Sequence, residues 1–223
     1  MKYLKQLALS SIIIAFFSAS ASAVTVSWTD WTSSPDALSA SGDLLVGSTT
    51  VDVGYSGTGT HAFVQTGTGT NYWTGSAYTN GTVSNAPPAA ELVALNQGGT
   101  VTITFSQTVV DPYIALVSWN GNTVDFGVPI VIDSFGPGFW GNGTPILNGT
   151  GTGFFGSGEV HGVIELPGSF NSITFTHTSE NWHGFTVGVA GIAAIPEPET
   201  YAMLLAGLGL LGFMACRRKV SAV

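Results

Sequence analysis

From Val24 to Ile195 the apolar and polar positions change places over short runs, and no stretch holds a helical period for long. In VTITFSQ (Val101 onward), Val101, Ile103 and Phe105 share one parity and the threonines take the other, which is the pattern of a half-buried strand. VTVSW (24–28), TVDVGY (50–55), HAFVQ (61–65), YIALVSW (113–119), EVHGVIEL (159–166), SITFTHT (172–178) and GFTVGVAGI (184–192) read as further strands. Pro129 interrupts the run 123–135, so it divides into two segments or lies at an edge. Strands at short intervals with Gly, Asn and Pro between them predict an all-β chain, an antiparallel β-sandwich with jelly-roll topology. The segment 89–96, AAELVALN, follows Pro87-Pro88 and precedes Gly98-Gly99, which suits a short helix or an extended connection equally well. Two Gly/Thr-rich tracts, 56–75 and 141–160, read as mobile loops and hairpin turns.

Charge changes this picture. All five basic residues, Lys2, Lys5, Arg217, Arg218 and Lys219, lie outside 24–195. The thirteen acids all lie inside that span except Glu197 and Glu199, and the four histidines lie there too. The domain therefore contains no Lys or Arg salt bridge and must rest on apolar burial and hydrogen bonds. A phosphate backbone is repelled, so nucleic acid is excluded as a partner, and anionic substrates are disfavoured. Neutral ligands and cations stay open. The one cysteine, Cys216, lies near the C-terminus, so 24–195 has no disulfide.

The two ends read as addresses. Residues 1–23 combine Lys2 and Lys5, an apolar run from Leu7 to Phe17 and the small residues Ala21-Ser22-Ala23, the order of a secretory signal peptide. Residues 201–216 are uncharged and mostly apolar, and they predict a transmembrane helix. Ala202 to Cys216 spans about 22 Å as a helix, against a hydrocarbon core of about 30 Å that flanking residues help to cross. Arg217, Arg218 and Lys219 follow it and anchor that end in the cytoplasm, with the domain outside.

Pro196-Glu197-Pro198, then Glu199-Thr200, a Gly-rich apolar helix and a basic end together resemble the PEP-CTERM sorting signal of exported proteins of Gram-negative bacteria. The resemblance covers about 195–219. It implies an exosortase as partner, a membrane cysteine transpeptidase that cleaves near Pro196, Glu197 and Pro198, so these are sorting-recognition residues. It also implies transient anchoring in the inner membrane, then release to the cell surface or extracellular matrix. Pro-x-Pro is held extended and open to such processing. The second half of 24–195 is similar to ectodomains common among PEP-CTERM proteins, a likeness that names no activity. The organisation is then a signal peptide (1–23), an exported β-sandwich domain (24–195) and a sorting signal (196–219).

Candidate chemistry inside the domain is sparse. Trp28, Trp31, Tyr72, Trp73, Tyr78, Trp119, Trp140 and Trp182 are the large aromatics. Tyr72-Trp73 and Phe139-Trp140 lie in Gly-rich loops, where a sugar ring could stack on them; the plainer reading is that they anchor loops to the core. Asp111, Asp125 and Asp133 leave calcium open as a cofactor, but no DxDxDG-type run exists, so no metal or cofactor is assigned. His177, Glu180 and His183 cluster in HTSENWH without a zinc spacing, and His61 and His161 are dispersed. There is no G-x-S-x-G elbow. Glu159, Glu165 and Glu180 are carboxylates that a glycoside hydrolase or lyase would need in pairs. The expectation is a non-enzymatic, structural or adhesive surface protein associated with polysaccharide, with such an enzyme as the alternative.

Overall fold

The computed structural model describes residues 23–193, together with 206–208 and 210–211. In chain order the strands are β1 (Ser27–Trp28), β2 (Asp30–Asp36), β3 (Ser39–Val46), β4 (Thr49–Gly57), β5 (His61–Thr66), β6 (Glu91–Leu95), β7 (Gly99–Val110) and β8 (Tyr113–Trp119). They continue as β9 (Thr123–Asp125), β10 (Val131–Phe135), β11 (Thr144–Leu147), β12 (Gly153–Ser157), β13 (Val160–Glu165), β14 (Ser169–His177), β15 (His183–Val189) and β16 (Gly191–Ile192). They form two antiparallel sheets. One runs β10-β13-β8-β15-β6-β5, with β1 also on β15; the other runs β11-β12-β9-β14-β7-β4-β3-β2, with β16 also on β7.

Within this, β6-β15-β8-β13 faces β7-β14-β9-β12. The chain alternates between the sheets at every step except β9 to β12, so these eight strands have the jelly-roll order. Strands β2 to β5 extend one side and β10 and β11 the other. Pro129 divides its run as the sequence suggests, into β9 and β10, which belong to different sheets.

The main core lies between the sheets. Val101, Ile103 and Phe105 of β7 point into it, with Trp31, Ile114, Leu116, Trp119, Phe154, Phe175 and Phe185. A second core covers the outer face of the seven-stranded sheet, where Leu92, Ala94, Tyr113, Ala115, Val117 and Val163 meet Val26, Trp28, Trp73, Ala77, Tyr78 and Val83. The segment between β5 and β6 supplies most of this cover. Asp133 holds it, accepting from Thr82 N (3.0 Å), Thr82 Oγ1 (2.5 Å) and Val83 N (3.4 Å). Asn85 pairs with the backbone of Val26 in both directions, at 2.8 Å each, and so fastens the N-terminal segment to the same layer.

Two segments take definite form here. The run 89–96 is extended, not helical: it holds β6, which is buried on both faces and so lacks an alternating pattern. The Gly/Thr-rich tracts hold the expected strand and hairpin, and what differs from mobile loops is how much of them is packed. The first includes β5 and the buried Trp73, and the second folds into the β11–β12 hairpin with pairs from Thr144↔Ser157 to Leu147↔Phe154. Their glycines serve close approach: at Gly156 a Cβ would run into the Trp119 carbonyl.

Candidate functional site

At one end of the seven-stranded sheet, Ser118, Asn120, Trp140, Glu159, Glu180, Asn181 and Trp182 line a groove of about 370 Å³. Its geometry starts from a β-bulge. Val160 pairs with Trp119 but Gly162 pairs with Leu116, so Val117 and Ser118 together oppose His161. Ser118 takes up the distortion with φ +59°, a region that costs a non-Gly residue about 1–3 kcal/mol. The turn delivers the Ser118 hydroxyl to Glu159, Oγ to Oε2 at 2.5 Å. The other Glu159 oxygen accepts from Asn120 Nδ2 at 2.8 Å. The Asn120 backbone N–H donates to Glu180 Oε2 at 3.0 Å, so one residue holds both carboxylates.

The two acids sit in different surroundings. Burial raises the Glu180 pKa to about 7, with Glu159 adding in the same direction against the pull of the Asn120 N–H. Behind Glu180, His183 Nδ1 lies 3.5 Å from its Oε2. His183 Nε2 is 3.0 Å from His177 Nδ1, and the Trp119 ring covers His183 at 4.5 Å. Burial lowers the pKa of both imidazoles, and His177 lowers that of His183 further. The Glu180–His183 approach is therefore a contact of two groups that are both neutral between about pH 3 and about pH 7, not a salt bridge.

The aromatic wall is an extension of the cover. Trp140 N–H donates to His161 Nε2 (3.4 Å), and His161 Nδ1 is 3.3 Å from Tyr78 Oη, which donates to the Leu116 carbonyl (3.1 Å). A neutral His161 with its proton on Nδ1 satisfies this chain, and burial lowers its pKa to about 4. Gly138 lies against the His161 ring, where a Cβ would collide. The loop so placed leaves Trp140 56% exposed and Phe139 39% exposed. Rings continue from there: Trp140 to Phe139 at 4.9 Å, Phe139 to Tyr72 at 5.0 Å, Tyr72 to Trp182 at 4.9 Å and Trp182 to Phe63 at 6.1 Å.

Of the aromatics singled out in the sequence, Tyr72, Phe139, Trp140 and Trp182 come together here. Trp73 does not: it is 4% exposed, packed on Tyr78 and donating Nε1–H to the Glu91 carbonyl, because its loop is pulled onto the outer face of the sheet. Trp28, Trp31, Tyr78 and Trp119 are core residues. Glu165 ends β13, about 20 Å of strand from Glu159 at 3.3 Å per residue, and its charged neighbours are Asp111 and Asp133. Each candidate calcium ligand is taken up by backbone instead: Asp111 by Gly168 N, Asp125 by Gly127 N, Asp133 by Thr82 and Val83. Among the described residues no group of three or more His, Cys, Asp or Glu is placed to hold a metal ion. Ser118, Asn120 and Asn181 carried no signal of their own in the sequence, although Asn120-Gly121 marks a turn at the end of β8.

A larger hollow of about 430 Å³ lies beside the β11–β12 hairpin, lined by Ile146, Leu147, Phe155 and His177 among others. It has no carboxylate pair and no exposed indole, so the smaller groove is the chemically better equipped of the two.

Pro196, Glu197, Pro198, Arg217, Arg218 and Lys219 lie outside the described residues, as does nearly all of the signal peptide. Of 201–216, only 206–208 and 210–211 are described, and these are helical with Leu208, Leu210 and Leu211 exposed. Among the described residues no helix is long and apolar enough to cross a membrane. Comparison with known proteins identifies the C-terminal segment: residues 194–219 match the PEP-CTERM protein-sorting motif. This marks the chain as an exported protein with a C-terminal sorting signal, targeted for processing by an exosortase. No curated protein and no solved structure matches the chain.

Proposed function

We propose that the jelly-roll domain binds a neutral carbohydrate chain in the Trp140–Trp182 groove, and that this holds the exported protein in polysaccharide at the cell surface or in the extracellular matrix of a Gram-negative bacterium. The observation that carries the reading is Trp140, a mostly exposed indole fixed by its own backbone to a buried histidine. An exposed indole costs solvation and contributes little to the core. Facing a groove with Asn120, Asn181 and two carboxylates, it offers an apolar face for a sugar ring beside acceptors and donors for hydroxyls. The absence of Lys and Arg from 24–195 favours an uncharged glycan over a uronate or a sulfated chain.

The test is affinity electrophoresis of the exported protein through gels containing the producing cells' exopolysaccharide. Retardation is expected, and Trp140→Ala should remove it while leaving the urea midpoint in place. Equal mobility with and without polysaccharide would overturn the reading.

A further inference from the structure

We propose that the groove hydrolyses glycosidic bonds, with Glu180 as proton donor to the bridging oxygen and Glu159 as the carboxylate that takes the proton of the attacking water. The proposal rests on the glycan-binding reading and goes beyond the non-enzymatic role that the sequence suggested.

The placement of the two acids is the first argument. Both line the groove between Trp140 and Trp182, and both are tied to Asn120, one through the backbone N–H and one through the side-chain amide. Their separation is therefore set by a single residue at the end of β8. The pair also serves no structural purpose. Two half-buried carboxylates held together without a cation destabilise the fold, and 24–195 holds no Lys or Arg to relieve them. The strained Ser118 adds to that cost and spends its hydroxyl on Glu159. Such costs persist where they serve a function.

The third argument is the division of labour. Glu159 accepts a hydrogen bond on each oxygen, from Ser118 Oγ and from Asn120 Nδ2, which fixes the carboxylate in place. Glu180, which lines the groove, accepts a hydrogen bond on Oε2 only among the described residues. Burial keeps its proton on until about pH 7. A carboxyl group kept protonated by burial, beside a second one fixed by hydrogen bonds in the same groove, is the pattern of an acid and its partner carboxylate. In the reaction the Glu180 proton moves to the bridging oxygen as the C1–O bond breaks, and the bonding electron pair leaves with that oxygen as an alcohol. Water adds to C1 and gives a proton to Glu159. One water is split across the bond, and the proton returns from Glu159 to Glu180 through solvent. His183, behind Glu180, is a positioning residue. Elimination from a uronate fits less well, because nothing in the groove neutralises a substrate carboxylate.

The test uses the exported protein with a panel of neutral hexasaccharides: β-1,4- and β-1,3-glucan, mannan, xylan and galactan fragments. Binding is followed by calorimetry and cleavage by new reducing ends, for the natural protein and for Glu180→Gln and Glu159→Gln. New reducing ends are expected from at least one oligosaccharide that binds. Either substitution should slow release about 10²- to 10⁴-fold, the usual loss for a general acid or base, with binding kept. The natural rate should fall as pH rises through about 7. Binding without release above the Glu180→Gln background overturns the hydrolase and leaves the binding site standing. Failure of every oligosaccharide to bind overturns both. Retained binding by the two variants also shows that they are folded.

Discussion

The outer faces of the two sheets differ although the strands are built from similar residues. On the nine-stranded sheet, β7 alternates buried and accessible positions, and Thr102 stands opposite Thr174 with their hydroxyls 3.2 Å apart and open to water. On the seven-stranded sheet, β6, β8 and β15 are buried at every position. The cause is the segment between β5 and β6, which lays Trp73, Ala77, Tyr78 and Val83 over one face. The difference shows what a cover makes possible. A bare face can only be wet, whereas a covered one has a margin, and at this margin polar groups are half dry. The groove is that margin: Trp140 hangs from His161 and Tyr78 of the cover, and Glu180 leans on His183 below it.

Acid should act most strongly on the buried imidazoles. His161, His177 and His183 are buried with depressed pKa values, so the unfolded chain binds their protons more readily. Their contribution is complete above the unfolded value near 6.5 and is lost as pH falls toward about 4. With up to three protons taken up, the slope approaches about 4 kcal/mol per pH unit. Glu180 has the opposite sign: its raised pKa makes its contribution complete below about 4.5 and lost through about 7, which gives a shallow decline toward alkaline pH. Urea titrations between pH 8 and 4.5 should show a midpoint highest near pH 6.5. A flat profile would mean that water reaches His177 and His183 between the sheets as well as His161 under the cover.

Next comes removal of the cover's anchor. Tyr78 is fully buried and its hydroxyl donates to Leu116. Tyr78→Ala should cost about 3–5 kcal/mol, the range for a large aromatic lost from a core. Tyr78→Phe should cost about 1–3 kcal/mol, because the buried His161 Nδ1–H loses its acceptor and the Leu116 carbonyl its donor. A urea midpoint unmoved by Tyr78→Ala would show that the cover contributes nothing to folding.

What the sequence revealed follows the same divide. The parity of Val101, Ile103 and Phe105 was readable because their strand has one wet face, and the sandwich class followed from such runs. ELVAL in β6 has no parity to read, since both sides are dry, so its state stayed open until its partners β5 and β15 were seen. The cover escaped notice because Gly- and Thr-rich composition resembles a loop; nothing local says that Trp73 and Tyr78 will meet an outer face. The site was legible in kind and not in assembly. Trp140, Glu159 and Glu180 stood out as residue types, but their meeting depends on β8, β13 and β15 lying side by side, and Glu165 looked equal to Glu159 until the strand separated them. The bulge at Ser118 has no residue signature at all.

A smaller change separates the two faces, when a hydroxyl is taken from one and added to the other. Thr174→Val on β14 removes an exposed hydroxyl and keeps a β-branched side chain, which suits a strand as well. Its expected change lies within about 0.5 kcal/mol, as for surface positions generally. The reverse exchange, Val117→Thr on β8, puts a hydroxyl into the dry layer under Tyr78, where a donor without a partner costs about 1–3 kcal/mol. Side-chain shape is nearly constant in both, so the difference in urea midpoints measures how dry one face is against the other. Equal shifts would mean that Tyr78 and Trp73 shield the strands no better than water does. A loss at Thr174 above about 1 kcal/mol would instead assign the nine-stranded face a packing role of its own.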